Sequence, residues 1–198
     1  MRTLLIVTAA LLLAGPLEAQ TGWHVALEAG DLRFSGTSAD TSSEGPGSFR
    51  PYRPTAAALR FDRGGGRLRV GMGLVYASGP VALASPDVTL SVEGTPLTLL
   101  ELAPALSWRV LRLGSGSLRV SGGPIIDRWS WDVAPTRWRI GGELAAQLEG
   151  SLGGSAALVV RAGIAHTASV FDPEDLPPGF ALRRTWRRSL TAGIALGR

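Results

Sequence analysis

Apolar and small-or-polar residues alternate one by one along most of this chain, in eight separate stretches. Between Arg67 and Ala77, Leu68, Val70, Met72, Leu74 and Tyr76 fall on one face, and Arg67, Arg69, Gly71 and Gly73 on the other. A period of two is the geometry of a β-strand; a helix would scatter these positions round its axis. The same rhythm runs through Trp23–Ala29, Ala57–Asp62, Leu100–Val110, Leu118–Ile126, Trp138–Glu149, Leu158–Ala165 and Ser189–Leu196. The pattern therefore predicts eight strands.

The connections sort themselves by length. Arg63–Gly66, Arg112–Ser117 and Gly150–Ser155 are tight and rich in turn residues, whereas Ser35–Pro54, Gly79–Pro96, Asp127–Thr136 and Ala168–Phe180 are longer. Short and long alternate strictly, as in an antiparallel up-and-down meander with every tight turn at one end. An even strand count lets the last strand close on the first and removes both edges. Pro104 and Pro124 interrupt the pattern, because a proline takes a donor out of the ladder. With no edge to hide them on, a bulge or local irregularity is expected at each.

Composition narrows the setting. Met1 and Arg2 precede an apolar run from Leu4 to Ala14, Gly15 and Pro16 break it, and Ala19 offers a cleavage position. This reads as an export signal over 1–19, too short to span a bilayer as a helix, followed by one domain over 20–198. There is no cysteine, mean hydropathy is positive (+0.18), and 26 of 198 residues are glycine. The net charge is +4 and every basic residue is arginine, which suits anionic lipid and does not point to nucleic acid.

The export signal, eight alternating strands, four long connections and glycine-rich polar face together resemble the small outer-membrane β-barrels of the OmpA/OmpX type, over Gly22 to Gly197. The resemblance is architectural. It implies an all-β, eight-stranded antiparallel transmembrane barrel in the cell outer membrane, with short periplasmic turns, four longer extracellular loops and the barrel-assembly machinery as a partner. The chain departs from the family by ending Ala195-Leu196-Gly197-Arg198 instead of in an aromatic residue.

Candidate chemistry lies on both faces. Arg60, Arg67, Arg69, Arg109, Arg119, Arg139 and Arg161 share the polar face with Glu28, Asp62, Glu101, Glu143 and Glu149. An eight-stranded barrel is just wide enough for side chains to fill, and buried charges must pair or cost several kcal/mol each. An Arg/Glu plug is expected there; the competing reading is a narrow ion or solute path. On the apolar face, Trp23, Phe61 and Trp108 fall near one set of strand ends and Tyr76, Trp138 and Trp186 near the other, as two interfacial girdles would. Arg183, Arg184, Arg187 and Arg188 cluster round Trp186, with Arg184 and Arg188 pointing outward by alternation. They are candidates for the phosphates of outer-leaflet lipopolysaccharide, or else form a solvated rim.

Catalysis and cofactors find little footing. His24 and His166 lie near opposite ends, which argues against a two-histidine metal site. His166, Ser169 and Asp172 are the one candidate hydrolase constellation, and their spacing does not fix a triad. Asp172-Pro173-Glu174-Asp175 lacks the ligand spacing of a calcium loop and reads as a solvated acidic tip. Trp129 and Trp131 could anchor a partner or pack over the barrel mouth. No enzyme and no cofactor is expected. The leading reading is a structural or surface-interaction barrel. Behind it stand a small-solute channel, a lipid-modifying enzyme, and a soluble periplasmic ligand-binding barrel with its apolar face inward. Alternation alone does not decide which face is inside.

Overall fold

The computed structural model describes residues 22–36, 38–40, 47–84, 89–176 and 178–197; the expected export signal over 1–19 lies outside them. Each alternating stretch forms a strand, and most run well past the limits of their pattern. In chain order the strands are β1 (Trp23–Ser35), β2 (Ser38–Asp40), β3 (Ser48–Pro51), β4 (Thr55–Arg63), β5 (Leu68–Ala84), β6 (Thr89–Leu113), β7 (Gly116–Trp131), β8 (Ala134–Gly153), β9 (Ala156–Thr167), β10 (Phe180–Leu182) and β11 (Thr185–Gly197). Among the described residues a single 3-10 turn covers Pro173–Asp175.

Eight of these strands, β1, β4 to β9 and β11, pair antiparallel in sequence order. β11 then closes on β1, from His24↔Gly197 to Ser35↔Trp186. The wall is a closed eight-stranded barrel. Its three tight turns define a turn end and the longer connections a loop end. At the loop end β3 adds to the top of β5, and β2 pairs with β10. Closure demands close approach at the seam. A Cβ on Gly30 would lie 2.0 Å from the Leu190 carbonyl oxygen, and one on Gly193 2.0 Å from that of Leu27.

Two of the four longer connections are largely strand. The β5–β6 hairpin continues beyond the rim, from Val81↔Val92 to Ala84↔Thr89, after a register shift between Gly79 and Val81. Pro80 sits in that shift, where no ladder donor is required of it. The β7–β8 connection turns only at Asp132 and Val133. Proline and glycine in these segments read as loop because the bulges that absorb them leave no periodic signature.

Pro104 and Pro124 cause no bulge. Pairing between β6 and β7 stops after Leu102↔Ile126 and resumes at Leu106↔Gly122 in the same register, so the two prolines fall opposite each other. Each stays in register on its other side, Pro104 with Met72 and Pro124 with Gly142. Facing prolines put both missing donors in one interval. The expected irregularities therefore merge into a single gap.

The sidedness is settled by exposure. Leu27 is 65 % exposed and Ile140 74 %, while Glu28 and Arg119 are each 1 % exposed. The apolar face is the outside and the charged face the inside, which contradicts the inverted reading of a soluble barrel with apolar residues lining its interior. Inward positions between the charges are small, among them Ala26, Ala58, Ala103 and Ala145, leaving room for long guanidinium arms.

Candidate functional site: the filled lumen and the arginine belt

Alternation delivers one inward side chain every second residue, and neighbouring strands bring opposite charges to the same level. Toward the turn end, Arg69 of β5 reaches Glu149 of β8 at 2.6 Å, and Glu149 also accepts from Ser117 and Gln147. Arg119 of β7 donates to the Ser107 hydroxyl at 3.0 Å and to the Arg67 carbonyl at 3.2 Å. In the middle, Glu28 of β1 meets Arg60 at 3.2 Å and accepts from Thr191 at 2.6 Å. Arg161 of β9 donates to Glu143 at 2.9 Å and to Ser121 at 3.0 Å. Higher up, Glu101 and Asp127 stand directly opposite each other on β6 and β7. Both face Arg187 of β11, which hydrogen-bonds Glu101 and lies 4.0 Å from Asp127.

Above this charged column the lumen turns apolar. Leu32, Phe34, Val75, Leu97, Leu99 and Trp129 point in from the wall, and Phe49, Val170 and Phe171 fold down from the connections. Phe34 meets Trp129 edge-on at 5.6 Å, and Phe49 and Phe171 lie 4.8 Å apart. Trp129 is buried, and Trp131 packs against the same cluster. Neither tryptophan is presented as an exposed anchor.

The acidic tip is not a free solvated loop either. Arg137 holds Asp172 at 2.6 Å and Asp175 at 2.7 Å, while Arg139 holds Asp172 at 2.7 Å and the Ser169 carbonyl at 2.5 Å. These bonds strap the segment before β10 across the apolar cap. Burial alone would raise the Asp172 pKa, but the hydrogen bonds from Arg137 and Arg139 and their charges hold it below the ordinary value. A depressed carboxyl contributes stability above its unfolded pKa of about 3.9, and loses it as pH falls through the lower folded value. Proteolytic nicking over 168–180 is thus expected to stay slow at pH 6 and to rise only as the pH falls past the ordinary carboxylate value of about 3.9. Asp172→Asn should be nicked faster at pH 6 already. Equal rates for both proteins at both pH values would show that the strap does not hold the loop.

The sequence-predicted polar residues divide by position. Arg60, Arg69, Arg161, Glu101 and Glu143 are paired inside the lumen. Arg139 sits above it on the strap, and Arg67 and Arg109 lie at the turn-end mouth. Alternation places Asp127 in a connection and Arg187 in the cluster round Trp186, and gives Arg137 no role, because all three lie beyond the stretches where the period of two is evident.

The outer face carries a second feature. Arg33, Arg128, Arg183, Arg184 and Arg188 are all exposed in the loop half, and Arg33 stands opposite Arg188 across the β1–β11 seam. Asp31 is exposed on the same face of β1. A shallow groove of about 580 Å³ runs past Ile140, His166, Leu182, Arg183 and Arg184. His166 packs its ring 4.5 Å from Trp186, on the outer side of the wall. Ser169 is buried and Asp172 is engaged by its two arginines, so the three candidate hydrolase residues are drawn to different partners. Among the described residues no group of histidine and carboxylate side chains is arranged to hold a metal ion. Trp23, Phe61 and Trp108 are exposed toward the turn end, and Tyr76, Trp138 and Trp186 toward the loop end.

No family model and no curated protein matches the sequence. Solved structures match the fold. Neisserial surface protein A superposes with a TM-score of 0.60 at 11% identity, over 89% of this chain and 99% of that one. The outer-membrane protein OprG of Pseudomonas aeruginosa gives 0.58 at 10% identity, over 90% and 96%. The fold is that of the small outer-membrane β-barrels. The outer-membrane protease OmpT of Escherichia coli matches this barrel too, with a TM-score of 0.56 at 8% identity over 93% and 100% of the two chains. A surface protein and a protease on related walls leave the role of this barrel to its own side chains.

Proposed function

We propose that the protein is an integral outer-membrane barrel with a structural or surface-interaction role, shut to solutes, whose loop-end arginines hold lipid phosphate. One observation carries this reading: the wall is apolar outside, while its interior is filled by charged side chains, most of them in ion pairs, beneath an apolar cap. A wall of exposed Leu, Ile and Val is stable only against hydrocarbon. The aromatic rings fit two girdles. Leu100 lies opposite Tyr76 and eight residues before Trp108, a span of about 27 Å along the strand. With strands tilted by roughly 35–45°, that approaches the ~25 Å apolar band of such barrels. The turn end then faces the periplasm and the loop end the exterior, and insertion calls on the barrel-assembly machinery.

Lipopolysaccharide fits the loop end because its phosphates would lie at the level of the outward arginines, where charge is cheap and guanidinium–phosphate bonds are strong. The groove shifts the emphasis toward Arg183 and Arg184, with Arg188 and Arg33 beside it. A binding role suits these residues better than catalysis, since His166 packs against Trp186 and Asp172 serves the strap.

The protein is expected in the outer-membrane fraction, as a folded band that shifts on boiling, with no conductance steps in planar bilayers. Solubility without detergent, or reproducible single-channel steps, would overturn the closed barrel. In the same preparations, replacing Arg184 and Arg188 with Ser should lower co-purifying lipopolysaccharide about tenfold. Unchanged bound lipid would leave the arginines as a solvated rim.

A further inference from the structure

The mouth at the turn end departs from the charge pairing found deeper inside the barrel. Arg67, Arg109 and Arg112 line a recess of about 320 Å³ together with Val110 and Leu111. Among the described residues, no carboxylate forms an ion pair with any of these three guanidiniums. The charges acting on Arg109 are Arg112, Arg69 and Arg67, with Glu149 as the acid, and Glu149 is already held by Arg69. Behind the recess, Arg119 stands directly opposite Arg109 on β7. Like charges in that position destabilise a sheet. Arg119 is 1 % exposed, and its Nη1 has no partner. A buried donor left unbonded is costly, and more so when it carries charge.

The local backbone is shaped to build this cluster. Strict alternation would place Arg109 and Arg112 on opposite faces of β6. The β6–β7 register shifts between Arg109 and Leu111, Val110 and Leu111 are both exposed, and Arg112 returns to line the recess with Arg109. Re-aiming a side chain is what such a bulge does.

We infer that this recess is a binding site for a phosphate group, with Arg67, Arg109 and Arg112 as its donors and Arg119 supplying positive charge from behind. Val110 and Leu111 at its edge would meet the carbon part of a phosphodiester, which favours an anionic phospholipid headgroup over free phosphate. That lipid source rests on the barrel being seated in a membrane as proposed above; the anion chemistry does not.

The test exchanges detergent-purified protein into nanodiscs of phosphatidylglycerol or phosphatidylcholine and counts retained lipid by native mass spectrometry. In parallel, inorganic phosphate is titrated while the fluorescence of Trp108, the neighbour of Arg109, is followed. Retention of phosphatidylglycerol is expected to exceed that of phosphatidylcholine about tenfold, and Arg112→Gln and the Arg109→Gln/Arg112→Gln double variant should remove the preference. Arg112 is exposed beside a turn, so its single replacement leaves the ladder intact, and the heat-shifted band reports folding of each variant. Phosphate binding that depends on Arg112 without lipid preference would support the site and assign it to a soluble phosphate. The same result on a protein that fractionates as soluble would support the site while removing the membrane reading. Equal binding by wild type and folded Arg112→Gln, or no binding of either probe by wild type, would overturn it.

Discussion

Replacing Arg187 with Ala is expected to destabilise the folded barrel by about 3–5 kcal/mol, a range typical of removing one partner from a buried ion pair. Arg187 is the guanidinium that faces both Glu101 and Asp127, and all three side chains are buried. Its loss leaves two carboxylates directly opposite each other with no counter-charge. Restoring apolar packing should undo most of the damage, so a triple replacement of Arg187, Glu101 and Asp127 by Met, Met and Leu is expected to fold with stability near wild type. Urea midpoints of the heat-modifiable band in micelles measure both effects. Arg184→Ser, on the exposed surface of the same segment, should move the midpoint by no more than about 0.5 kcal/mol equivalent. A loss below about 1 kcal/mol for Arg187→Ala would mean that water or a proton already compensates the acids.

Gly193→Ala is expected to impair closure itself. Overpacking a core typically costs about 1–3 kcal/mol, because neighbouring side chains can move aside. Here the obstacle is the backbone of Leu27 on β1, with its carbonyl oxygen 2.0 Å from the added carbon. A backbone held in the β1–β11 ladder cannot rotate away without opening the seam. Gly30→Ala should act the same way from the other strand, against Leu190. The expected result is a folded-band yield far below wild type after refolding into detergent. Gly150→Ala is the matched control, since nothing lies within 4 Å of its added Cβ. If Gly193→Ala and Gly150→Ala refold alike, the seam is looser than the register implies.

What was legible in the sequence follows from what a period of two encodes. Leu68 to Tyr76 announced a strand because one of its faces meets side chains and the other does not. Strand number, order and closure followed from such stretches and from the spacing of turn residues. The pattern could not mark its own ends. Asp127 and Arg187 lie where alternation is diluted by Trp129 and by the arginine cluster, so the acid and base of one lumen contact carry the sequence marks of loop and rim. The strap was illegible for another reason: Arg137 and Asp172 are 35 residues apart, and no local rule pairs them. Trp129 and Trp131 show a third limit, since an aromatic in a connecting segment looks the same whether it points outward or plugs the mouth. The bulge after Arg109 changes which residues share a face, and no composition signal accompanies it.

The arrangement of Leu27 outside and Glu28 inside has a consequence for how the molecule comes into being. A strict alternation is unchanged if its two faces are exchanged, so the pattern alone does not set which side turns in. Water and hydrocarbon choose oppositely. In water, collapse would gather Leu27, Ile140 and Leu144 and leave Glu28 and Arg119 solvated, the reverse of the native wall. The order of events therefore matters as much as the end state. The chain has to be kept from collapsing until its apolar face has met an apolar solvent, and only then can the charges be sealed against one another.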